Sequence, residues 1–388
     1  MLIPLLPFYA VSFGASARAA GGLMAIYALF SLLSGPPLGA LSDRFGRKPV
    51  LLASQVGTFL GLILMAFAQS LWVVFVARII DGITAGNISV AQAYIADVSK
   101  PSERAKSFGL IGIAFGLGFL VGPAATAFLA ARYGDRAAVL GAAALSALSI
   151  LATLVLLPAQ PPKPEGAEDT AAAAASYRRP SVFDVAAYAA YFRRPAIAPF
   201  LWQFLIAQLA FSVFMGGYAL YAKQRFGMDT AGVSLTLTYA GLLGIVVQGV
   251  LLPRLLRTAG EMNLLITGFA ATVLSTSTLA FASTTTGIYV SITALALTGF
   301  LRPVLSSLIS RRSGPQEQGA VLGLTQSLSA ITQILGPLLA GELIDRQLLT
   351  TWGLTGAAIG ACGLLLLFFT ARSGGPSAID PPSAPAAR

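Results

Sequence analysis

Apolar runs of about 20 residues, the length a helix needs to cross a hydrocarbon core of about 30 Å, recur along the whole of this 388-residue chain. In lipid every backbone polar group must be satisfied internally, so runs this long and this frequent read as membrane-spanning helices. With 56% hydrophobic and 10% charged residues and a mean hydropathy of +0.78, the chain carries more apolar surface than a soluble fold could bury. The expected spans are Met1–Gly14, Gly21–Ser42, Val50–Ala68, Leu71–Ala96, Ala105–Ala131, Ala137–Leu157, Ala196–Ala222, Thr230–Leu256, Met262–Ala282, Ile288–Ser310, Ala320–Leu343 and Leu348–Ala371. They predict an all-α polytopic membrane protein of twelve spans. The organisation is a six-helix bundle over 1–157, a linker over 158–195 rich in Pro, Ala and charge, a second six-helix bundle over 196–371 and a tail over 372–388. Amphipathic character around Phe183–Phe192 would lay part of the linker on the membrane surface.

The basic residues are distributed unequally between the two sides. One side gathers seventeen of them, among them Arg44, Arg47, Lys48, Arg104, Lys106, Arg254, Arg257, Arg311 and Arg312. The other side holds six, namely Arg18, Arg132, Arg136, Lys223, Arg225 and Arg346. Lys and Arg are retained in the cytoplasm, so the first side and both termini are expected there, in an inner (plasma) membrane. The net charge of +10 is thus a topology signal scattered over short loops, and no nucleic-acid partner is expected. Histidine is absent, which leaves proton chemistry to carboxylates, and the single cysteine, Cys362, can build no disulfide or cysteine metal site within one chain.

A shift of 214 residues places Glu103 on Glu317, Gly109 on Gly323 and the pair Gly122-Pro123 on Gly336-Pro337. Duplicated bundles of this kind are a common architecture of secondary carriers, with the substrate site near the midplane where the repeats meet. The competing account is coincidence, since Gly and Pro are frequent in membrane helices. The same shift carries Ala196 to a position about 18 residues before Met1, so the first span reads as incomplete, through a misplaced start or an N-terminal truncation. A half-length or tilted helix is the alternative.

Between the second and third spans stands Gly39-Ala-Leu-Ser-Asp43-Arg44-Phe-Gly46-Arg47-Lys48-Pro49. This loop resembles the signature loop of the major facilitator superfamily. Over Gly35–Ala130 the chain is similar to tetracycline efflux proteins of the drug:proton antiporter group. Ala77–Asp97 is similar to that group's fourth span, and Gly116-Leu-Gly118-Phe-Leu-Val-Gly122-Pro123 to the antiporter motif of its fifth. The resemblance implies the major facilitator fold, alternating access, and a loop that latches the cytoplasmic side shut in the outward-facing state.

In physical terms Gly39 and Gly46 suit close helix approach and a tight turn, while Asp43 can cap a helix or pair with Arg44, Arg47 or Lys48. The plainer reading makes these basic residues orientation anchors only. Asp81 is the one carboxylate placed inside a span, with Arg78 one turn earlier on the same helix face. Charges in the bilayer usually mark an ion path or a fixed partner, so the two are either a proton-coupling site or a static ion pair locking the fourth helix. Gly116, Gly118, Gly122 and Pro123 serve close packing and bending, and by resemblance they limit leak. The family pattern also places an acid in the first span and others in the second half, and this sequence has neither. Arg302, beside Pro303 in the tenth span, either meets an anionic group or snorkels to the interface.

The other polar candidates for a substrate cavity are Tyr27, Asn87, Gln92, Gln203, Gln208, Tyr239, Gln248, Gln326 and Gln333, about half of them facing it and the rest bridging helices. No nucleophile with a base and no metal-ligand set stands at one membrane depth, so neither an enzyme nor a metal or cofactor is expected. The expectation is a monomeric proton-coupled antiporter that exports an amphipathic small molecule across the lipid bilayer, with a tetracycline-like drug as one candidate cargo. A sugar, metabolite or siderophore carrier on the same scaffold is the alternative.

Overall fold

The computed structural model describes residues 1–99, 104–158, 189–313 and 317–373. Most of the expected linker, Glu103 and nearly all of the expected tail therefore lie outside the described residues. Of the stretch expected to lie on the membrane surface, only 189–192 is described, and there Tyr191 is enclosed in the core of the second bundle.

The first bundle comprises α1 (Leu2–Ser12), α2 (Ala17–Phe45), α3 (Arg47–Ala66), α4 (Leu71–Ile83), α5 (Asn87–Val98), α6 (Arg104–Tyr133) and α7 (Asp135–Leu156). The second comprises α8 (Ala198–Phe226), α9 (Thr230–Val246), α10 (Leu252–Thr258), α11 (Gly260–Phe281), α12 (Thr285–Ala296), α13 (Leu301–Arg311), α14 (Gln318–Asp345) and α15 (Leu349–Ser373). Among the described residues eleven helical segments are long and apolar enough to cross a membrane, and α1 is a shorter apolar helix. Side-chain caps set several starts: Ser16 accepts from the Ala19 N–H, Asp229 from Gly232 and Thr284 from Gly287. Such caps contribute about 0.5–2 kcal/mol each.

Three spans expected to be continuous are interrupted. The fourth breaks at Thr84–Gly86, between α4 and α5. The eighth carries a π-helical turn, Val247–Leu251, and the tenth a 3₁₀ turn, Leu297–Phe300. The repeat is visible in the packing. The 214-residue shift carries Phe226, where α8 ends, onto Ser12, where α1 ends. Met1 abuts Gly122 in α6, as Ser212 in α8 abuts Gly336 in α14.

The end of the molecule bearing Arg44, Arg47, Lys48 and Arg311 is the basic end. At the opposite end one apolar cluster joins both bundles, from Leu5, Phe8 and Leu23 to Phe214, Tyr218, Ile344 and Trp352. Toward the basic end the clusters separate. One around Phe200, Leu264, Phe300 and Leu305 belongs to the second bundle alone, and one around Val50, Leu51 and Val90 to the first.

Candidate functional site

The seam between bundles is built by α2 against α14 and by α6 against α9. A Cβ on Gly21 would strike the Pro337 carbonyl oxygen, and one on Gly341 would lie 2.7 Å from the Ala17 carbonyl oxygen. A Cβ on Gly241 would lie 2.7 Å from the Phe119 carbonyl oxygen. At these points backbone packs on backbone, which small residues alone permit. Ion pairs close the far end: Arg18 Nε lies 2.6 Å from Glu342 Oε2 and Arg18 Nη2 3.8 Å from Asp345 Oδ2. The Ala17 N–H also donates to Asp345, at 3.1 Å. Beside this seam a recess of about 610 Å³ is lined by Phe8, Ser12, Asp135, Lys223, Asp229 and Thr230.

At the basic end the signature loop binds only its own bundle among the described residues. Arg47 pairs with Asp43 at 2.5 Å and with Asp97 of α5 at 2.8 Å, and it donates to Ser42 Oγ at 2.6 Å. Lys48 donates to the carbonyls of Leu154 and Leu157 at the end of α7. Arg44 stacks over Phe45. Gly46, with φ 95°, supplies the turn expected of it. Gly39 departs from expectation: a Cβ there would meet nothing within 4 Å, so no described helix approaches it closely in this conformation.

Arg78 and Asp81 form a 2.5 Å ion pair, with exposures of only 7% and 8%. The pair is held between α2 and α3 by two glycines. A Cβ on Gly61 would lie 3.0 Å from the Ala77 carbonyl, and one on Gly82 2.9 Å from the Tyr27 carbonyl. The Arg78 guanidinium stacks 4.1 Å from the Tyr27 ring centroid. Arg78 Nε is buried with no partner among the described residues. The break at Thr84–Gly86 follows directly, and the Ser34 hydroxyl donates to the Gly82 carbonyl beside it at 2.9 Å. Tyr27 thus belongs to this buried cluster.

The other candidates divide three ways. Gln208 bridges helices through Ser329, and Tyr239 bonds to Thr293 while its ring meets Tyr289 edge-on. Gln203 is fully enclosed in the second bundle and neither of its amide atoms has a partner among the described residues, so it lines no open cleft in this conformation. Gln248, Arg302, Gln326 and Gln333 are exposed, and Gln92 is half-buried. By helical position Gln326 and Gln333 continue the face of α14 that carries Pro337 and Gly341, which places them where the bundles part. The Asn87 side chain lies outside what is described. In the antiporter motif, Gly122 takes the close contact with Met1, Gly116 faces Ile245 at 3.8 Å, and Gly118 faces open space. The tight inter-bundle contacts at Gly21 and Gly241 carry no distinct sequence signal, because small residues occur on every face of these helices.

The chain matches the Major Facilitator Superfamily over residues 1–337. It is 32% identical to the tetracycline resistance protein, class C, of Escherichia coli, across 91% of this chain and 87% of that one. It is 26% identical to multidrug resistance protein 2 of Bacillus subtilis (strain 168), across 90% and 85%. Its fold is similar to the crystal structure of the nucleoside transporter NupG, with a TM-score of 0.70 at 17% identity over 95% of this chain and 93% of that one. The membrane helices, the paired bundles and these matches together make the chain a multi-pass membrane protein of the major facilitator superfamily.

Proposed function

We propose that this protein exports an amphipathic small molecule in exchange for protons, by alternating access of two bundles spanning 1–157 and 196–371. The observation that carries the reading is the one-sided seam, tightly packed from Ala17 and Gly21 to Asp345 and parted around Gly39. With the basic end in the cytoplasm of a bacterial cell, as its excess of Lys and Arg supports, this conformation faces inward and is ready to load cargo from the cytoplasm. Closing the basic end would bring Gly39 against the second bundle and engage the Asp43–Arg47–Asp97 cluster as the latch. Opening the far end would break the Arg18 pairs.

Asp81 supplies the proton site. It is the only carboxylate buried at mid-span among the described residues, and the chain has no histidine to take its place. Its burial against Arg78 means that exchange requires the pair to part, and the adjacent break at Thr84–Gly86 gives α4 a place to flex. The tetracycline and multidrug resistance relatives support a drug-like cargo, and the chain works as a monomer. In inside-out vesicles energised by respiration, tetracycline should accumulate and be released when the pH gradient is collapsed. Accumulation indifferent to the gradient would count against antiport.

A further inference from the structure

The one intramembrane charge left without a counter-ion among the described residues is Arg302. Arg78 is neutralised by Asp81, whereas no described carboxylate pairs with Arg302. It stands nine residues before Arg311, about 14 Å along the helix from the basic end. On α13 the side chains of Leu301, Val304, Leu305 and Leu308 fill the second bundle's core. Arg302, Ser306 and Ser310 form the opposite face, each open or half-open. A face made of a guanidinium and hydroxyls is unsuited to hydrocarbon, so it lines the water-filled cleft between the parted bundles.

Two irregular turns meet beside it. The π-helical turn Val247–Leu251 presents Gln248, and a Cβ on Gly299 of the 3₁₀ turn would lie 3.6 Å from the Gln248 amide nitrogen. Such departures from α-helix often mark functional positions. Here they bring an amide donor to the turn that immediately precedes the guanidinium.

Resting on the export reading above, we infer that the cargo carries an anionic group, a carboxylate, sulfonate or acidic enol, which docks on Arg302 with Gln248 as a second donor. A guanidinium presents a planar fork of N–H donors that matches such a group. The uncompensated positive charge in the cleft equally disfavours a purely cationic cargo.

The test is binding of fluorescein, an amphipathic anion, to the purified full chain in nanodiscs, followed by anisotropy, with ethidium as the cationic comparison. Arg302→Gln should weaken fluorescein binding at least about tenfold, the effect of losing a charge-assisted hydrogen bond. Arg302→Lys should weaken it less and Gln248→Leu severalfold, while any weak ethidium binding is unchanged or improved. Equal fluorescein affinity in wild type and Arg302→Gln would overturn the inference, as would a wild-type chain that binds ethidium and not fluorescein. The Lys variant and a thermal melt separate a lost contact from a misfolded chain. Arg302-dependent fluorescein binding without proton-driven transport would sink the antiport reading alone. Proton-driven ethidium transport with fluorescein binding indifferent to Arg302 would sink this inference alone.

Discussion

Gly21 and Gly39 lie on one face of α2, about five turns apart, yet only Gly21 touches the second bundle. The same helix face is therefore sealed at one end and open at the other. A glycine facing empty space inside a helix costs about 1 kcal/mol of stability relative to Ala, and a second conformation in which Gly39 packs closely would give its small size a use.

Gly39→Leu is accordingly expected to leave the thermal melt unchanged or slightly raised while slowing transport at least about tenfold. Gly21→Leu should destabilise the sealed end instead. Melting curves together with vesicle transport separate the two, and a Gly39→Leu chain transporting at the wild-type rate would remove the second conformation's claim on that glycine.

The ion pairs of Arg47 are partly exposed, so their contribution to stability is small, about 0–1 kcal/mol each. Asp43→Asn should therefore insert and melt like wild type. With Asp43 serving the latch, transport should still fall severalfold; initial rates in vesicles measure this.

At the far end, Arg18 draws together Glu342 and Asp345 from the opposite bundle. Arg18→Gln should shift the population toward the conformation open at that end by up to about fivefold, the equivalent of roughly 1 kcal/mol. The measurement is thiol labelling of Ser12→Cys, in the adjacent recess, on a Cys362→Ser background. Labelling should rise from the side facing that recess.

The Arg78–Asp81 pair predicts a stability effect distinct from its proposed coupling role. Asp81→Asn leaves a buried guanidinium uncompensated, which costs about 3–5 kcal/mol, whereas Arg78→Gln combined with Asp81→Asn should recover most of that loss. Denaturation of both variants in detergent checks it. Neither variant should couple flux to protons.

The spans, the paired bundles and the 214-residue repeat were legible in sequence because apolar length is a strong signal and the Gly-Pro pairs keep their spacing. The interruptions at Thr84–Gly86, Val247–Leu251 and Leu297–Phe300 were not: each carries glycine (Gly86, Gly249, Gly299) and the last two precede Pro253 and Pro303, but Gly and Pro also occur in membrane helices that stay regular, so their presence does not locate a break. The partnership of Arg78 and Asp81 followed from i,i+3 spacing, but the stacking of Tyr27 on it did not, because that depends on how α2 packs on α4. Arg18 and Glu342 could be assigned to the same side of the membrane; their contact, 324 positions apart, depends on the meeting of two bundles. The sequence marks Gly39 as a close-contact residue, and its open surroundings show that sequence carries the demands of every conformation at once while a structure displays one.

Proton exchange can be read from the dissipation of an imposed pH gradient in proteoliposomes on adding tetracycline, fluorescein or ethidium. Cargo-dependent proton movement is expected with the wild-type chain and none with the Arg78→Gln, Asp81→Asn double variant folded to the same extent. Proton movement that is equal in both, or absent from a folded wild-type chain with every cargo, would refute coupling through Asp81.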